Sequence, residues 1–151
     1  MRAHRGFTLL ELMVVVALIA LATATVVVGL RDSHQDRLET EALRLGAMLD
    51  AARAQSRTSG VPLLWQPDAE GFRLRPADAT AATTASTTGT RKGWLHAGTT
   101  AQIVQPAGAP VLVLGPEPLT PPQRIELSLG EARLSLVTDG LGPFSVQRGS
   151  P

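Results

Sequence analysis

Glu11 is the only charged residue between Arg5 and Arg31. It stands at the head of an apolar run, since Leu12 to Leu30 is 19 residues without a charge. A charge at the centre of a membrane helix costs roughly 2.5–3.5 kcal/mol on insertion scales, and less toward the interface. A plain anchor has no use for that cost. Glu11 therefore reads as a functional group whose partner should be named. A basic residue and a glycine, Arg5 and Gly6, lie directly ahead of Phe7.

The other residues with chemical potential are scattered. His34 and His96 are the histidines beyond the first few positions, and neither has a second ligand at metal-type spacing. His34 sits among Arg31, Asp32 and Asp36, which reads as a solvated helix segment. Asp68, Glu70 and Asp78 could gather as carboxylates, but a calcium loop needs more oxygens at set spacing. Arg73, Arg75, Arg91 and Lys92 could form a basic patch, a thin one beside those acids. Asp139, followed by Gly140, is a turn residue. There is no cysteine, so disulfides, thiolate metal sites and a cysteine nucleophile are excluded. Without a phosphate loop or nucleophile elbow, the expectation is no enzyme, no cofactor and no metal.

The elements that would position these residues follow from hydropathy. Nineteen apolar residues make about 28 Å of helix, enough for a bilayer core of about 30 Å. Arg2 and Arg5 before the run place that end in the cytoplasm. Leu38, Ala42, Leu45, Leu49 and Ala52 then recur on one helical face, with Arg37, Glu41, Arg44 and Arg53 largely off it. One helix from about Phe7 to Ser59 is expected, ended by Gly60 and Pro62. Short strands follow: Val61–Trp65, Phe72–Arg75, Trp94–Leu95, Ile103–Val104, Val111–Leu114, Ile125–Leu129, Leu134–Leu136 and a last one opened by Phe144. Pro67 to Gly71 reads as the first hairpin connection. Ala77–Thr90, mostly Ala and Thr, reads as a surface loop. The fold class is α+β, a long N-terminal helix packed on a C-terminal antiparallel β domain. A chain beginning near Arg31 is expected to fold by itself.

Gly6-Phe7-Thr8-Leu9-Leu10-Glu11 resembles the signal of type IV pilins and of the pseudopilins of type II secretion. The resemblance implies that a prepilin peptidase cuts between Gly6 and Phe7 and N-methylates Phe7. Glu11 becomes the fifth mature residue, where that family keeps a glutamate that meets the N-terminal amine of a neighbouring subunit. It implies four segments: a leader (1–6), a transmembrane and filament-core helix (7–30), an amphipathic periplasmic half of the same helix (31–59) and a β-rich periplasmic domain (60–151). Removing Arg2 and Arg5 leaves 12 basic against 13 acidic side chains, so no nucleic-acid partner is expected from charge.

Leu114 to Gln123 and Thr138 to Phe144 resemble segments of the H-type minor pseudopilin. That resemblance implies a place at the tip of a periplasmic pseudopilus on the inner membrane. The implied partners are the I, J and K minor types, the major G type and the inner-membrane assembly platform. Its role would be to help export folded proteins. In place of the proline that many pilin-like helices carry in the apolar run, this chain has Val26-Val27-Val28-Gly29. Other readings stay open. A minor type IV pilin for pilus assembly or DNA uptake shares the signal. A cleaved secretory signal, with small-residue sites around Ala22, would leave a secreted binding domain. An uncleaved anchor would use Glu11 only to favour a helix N-terminus.

Overall fold

The computed structural model describes residues 9–78 and 89–148, with the backbone alone for 22–32 and Thr90. Gly6, Phe7 and most of Ala77–Thr90 lie outside the described residues. The described chain is α+β: α1 (Leu9–Ser59), then β1 (Leu63–Asp68), β2 (Gly71–Pro76), β3 (Thr90–Gly93), β4 (Thr100–Gln105), β5 (Leu112–Leu114), β6 (Gln123–Leu129), β7 (Ala132–Thr138) and β8 (Ser145–Arg148). It divides into two compact units between Ser33 and His34.

In the first unit, every described side chain from Leu9 to Leu21 is exposed. Among the described residues no helix is long and apolar enough to cross a membrane. The described side chains of the apolar run stop at Leu21, short of the roughly 20 residues a span requires.

The second unit has two four-stranded antiparallel sheets, ordered β3-β2-β1-β5 and β4-β6-β7-β8. Alternation explains the second sheet. Ile125, Leu127 and Leu129 face Leu136, Leu134 and Ala132 across the β6–β7 ladder, and all six are buried. Such same-face pairs fix register, because a one-residue slip would turn the set toward water. The expected stripe of α1 is buried as one set, with Leu38, Ala42, Leu45 and Leu49 at 0% exposure and Ala52 at 5%. These residues join Trp65, Phe72, Leu112, Leu114 and the β6–β7 residues in one core. Each fully buried leucine is worth about 1.5–3 kcal/mol, so the stripe holds helix to sheets. Gly60, at φ 73°, closes α1 by donating its N–H to Ser56 O at 2.8 Å.

Four expectations are corrected. Glu41 and Arg53 lie inside, at 0% and 4% exposure, because loops from the β domain close over both flanks of the stripe. The first hairpin turns on Ala69-Glu70, with Asp68 paired to Gly71 and Pro67 within β1. Proline is tolerated there because β5 pairs only with Leu63–Trp65, leaving that side of Pro67 without a ladder. The third strand is Thr90–Gly93, and Trp94–Leu95 follows it outside any strand, leading into a bend at Leu95–His96. The Trp94 ring instead turns inward onto Phe72, with centroids 5.3 Å apart, and its indole N–H donates to Asp68 O at 3.2 Å. Phe144 precedes β8, packing as a core side chain outside the ladder.

Candidate functional site

α1 places Glu11 in its first turn, exposed, among exposed Leu9, Leu10, Leu12 and Met13. A carboxylate there complements the positive end of the helix dipole, which the anchor reading also uses. The larger fact is its setting. Leu9 is 76% and Leu21 65% exposed, and Val14, Val15, Val16, Leu18 and Ile19 between them are exposed as well. A continuous apolar surface of this kind marks contact with lipid or with other protein.

The remaining sequence candidates fall into separate structural roles. Arg91 Nη2 meets Asp68 Oδ1 at 3.2 Å and Glu70 Oε2 at 2.9 Å, while Arg73 Nε lies 3.9 Å from Asp68 Oδ2. The backbone N–H of Glu70 and then Arg91 hold the Asp68 carboxyl below its usual range. The same carboxylates raise Arg91. Carboxylate cluster and basic patch thus meet in one ion-paired group across β1–β3, and two of the four basic residues are engaged by acids. Asp78 lies in the turn after β2 and joins none of these pairs.

His34 is half-buried, correcting the solvated reading. Its ring lies over the β6–β7 turn, close enough that a methyl on Gly130 would meet Nδ1 at 2.7 Å. His96 is also half-buried, and its Nδ1 and the Thr99 hydroxyl are buried without hydrogen-bond partners among the described residues. Among those residues no group of three or more His, Asp and Glu could hold a metal.

Sequence reasoning missed the polar clasp on α1. Glu41 Oε2 accepts the Leu95 N–H at 2.6 Å, and its Oε1 pairs with Arg44 at 3.0 Å. Arg53 donates to Gly142 O at 3.2 Å and to Gln123 Oε1 at 3.3 Å, with its guanidinium 5.1 Å from the Phe144 ring centroid. Burial lowers the Arg53 pKa, partly opposed by Asp50. Asp50 itself accepts the Phe144 N–H at 3.2 Å. Thr120 donates its N–H and hydroxyl to Gly140 O, at 3.4 and 3.3 Å. The 114–123 and 138–144 segments are therefore fastened to each other and, through Arg53, to the helix. The only sequence signal was an arginine adjoining the apolar stripe.

Residues 1–27 match the family described as the prokaryotic N-terminal methylation motif. The match is consistent with a type IV pilin-like protein, and it supports prepilin-peptidase cleavage and N-methylation. It also suggests anchoring by the N-terminus. No curated relative and no solved structure matches the chain.

A titration prediction arises from the turn that the clasp holds. Asp139 Oδ1 accepts the N–H groups of Gly142 and Leu141, both at 2.9 Å, which lowers its pKa. A depressed carboxyl contributes stability above its unfolded value, about 3.9, and loses it as pH falls through the folded value. Thermal melts of wild type and Asp139→Ala should differ near pH 6 and converge as pH falls below the usual carboxylate range and through the depressed folded value. A constant gap across that window would remove ionisation from the turn's stability.

Proposed function

We propose that this chain is a minor pseudopilin, a structural subunit at the tip of a type II secretion pseudopilus. The observation that carries the reading is the union of the methylation motif over 1–27 with a helix whose described start, Leu9–Leu21, leaves every side chain uncovered. A membrane covers that surface before assembly and neighbouring helices cover it afterwards. Glu11 then pairs with the methylated amine of Phe7 on an adjacent subunit. The β domain sits in the periplasm and contacts the I, J and K minor types and the G-type shaft. Its role is structural, without catalysis or cofactor. The fastening of the 114–123 and 138–144 segments into one clasp supports the H-type resemblance, since both resembling segments serve one surface.

Membrane-extracted protein should carry N-methyl-Phe7 as its first residue by mass spectrometry, and Gly6→Leu should leave the longer precursor. Glu11→Leu should insert normally, because a desolvation cost is removed. Its incorporation into filaments should fall about tenfold or more, which corresponds to about 1.4 kcal/mol of lost pairing. A mature N-terminus at Thr23 or Thr25 would sink the reading in favour of a secreted domain. Loss of surface pili, with secretion intact, in a strain lacking the protein would make it a minor type IV pilin. A salt-sensitive shift of DNA by the β domain would point to uptake.

A further inference from the structure

We infer that the groove between β5 and the 115–122 loop is a docking site for a partner peptide segment that inserts an aliphatic side chain beside a lysine or arginine. The groove encloses about 430 Å³, within the range of pockets that hold ligands. Its walls are Val111, Val113, Leu119 and Pro121, and Gln123 contributes its polar end. Two wall residues leave much of their apolar surface in water, Val113 at 49% and Leu119 at 69% exposure. Neither is needed to fill the core, whose adjacent positions Leu112 and Leu114 are at 0%.

Charge selects the occupant. Among the described residues Glu117 is the only ionisable one lining the groove, and its exposed carboxylate folds back over Gly115 at the rim. No hydrogen bond or ion pair engages it among the described residues. An apolar cavity with one acid at its mouth is complementary to an aliphatic anchor with an adjoining cation. The mode is side-chain insertion. β5 is an edge strand, but Gln123 Nε2 already donates to Val113 O at 2.9 Å, which closes that carbonyl to an added strand. The wall is rigid at its base, because Thr120 is tied to Gly140. This inference stands on the groove alone and holds whichever filament the chain enters.

The test uses the full-length chain in lipid nanodiscs, so that no detergent competes for the groove, with empty discs as background. The probes are two short fluorescent peptides, each with a central leucine, flanked in one by lysines and in the other by glutamates. Anisotropy should show the lysine-flanked peptide binding about fivefold more tightly, the scale of a partly exposed charge pair. Glu117→Lys should reverse the order. Leu119→Ser, at a position too exposed to endanger folding, should weaken the lysine-flanked peptide about threefold or more. Binding no greater than to empty discs, or an order unchanged by Glu117→Lys, overturns the inference. Equal binding of both peptides that still needs Leu119 would make the groove a site for uncharged apolar ligands and overturn the assigned partner.

Discussion

Trp65→Ala should destabilise the β unit by about 3–5 kcal/mol, the range for removing a large buried aromatic. Trp65 is at 0% exposure in β1, between Leu74 of β2 and Leu112 of β5. Its ring lies 6.1 Å from that of Phe72, which in turn meets Trp94. These three rings are most of the aromatic content of the unit, so alanine at 65 removes a large share of the ring packing in the first sheet. Against a typical total of about 5–15 kcal/mol, the loss is a large share. The indole N–H sharpens the test, because it is buried without a partner among the described residues. An unmet buried donor costs about 1–3 kcal/mol. Trp65→Phe removes that donor while keeping a ring, and should cost less than half as much as the alanine change. Urea titration of the fragment beginning at Arg31, with an unchanged m-value, reads both. A loss below about 1 kcal/mol for Trp65→Ala would show that the first sheet does not depend on this ring.

What the sequence disclosed divides along physical lines. The stripe Leu38–Ala52 and the alternating β6 and β7 were legible because each is periodic, and burial of a periodic face needs no knowledge of its partner. An N-terminal methylation motif was legible because a carboxylate at the head of an apolar run is costly and therefore informative, and the family match over 1–27 agrees with such a motif. Thr90–Gly93 was hidden because an edge strand with two basic side chains carries no apolar alternation, whereas the neighbouring Trp94 looked strand-like while serving as a core plug. Glu41 and Arg53 were hidden for a different reason. Their burial is set by Leu95, Gln123 and Gly142, groups far away in sequence whose return to the helix no local pattern encodes. The groove beside β5 is equally non-local, since its walls meet only after β5 has paired with β1 and the clasp has drawn Thr120 to Gly140.

Gly140→Ala tests that last step. Gly140 has φ 91°, and a side chain held in such a sparsely populated region costs about 1–3 kcal/mol. A methyl there would also overlap the Thr120 carbonyl. That is backbone, so the 115–122 loop must move, adding the roughly 1–3 kcal/mol of an overpacked site. The expected total is about 2–6 kcal/mol. Gly60→Ala supplies the control, with φ 73° and nothing within 4 Å of the added methyl. It should carry the conformational cost alone, about 1–3 kcal/mol. Urea titration of the Arg31 fragment should therefore rank Gly140→Ala well below Gly60→Ala in stability. The displaced loop carries Leu119 and Glu117, so peptide binding at the groove should weaken in the Gly140 variant and stay intact in the Gly60 variant. Equal losses of stability in the two would mean that left-handed backbone alone sets the cost, and that Thr120 yields to the methyl without disturbing the clasp.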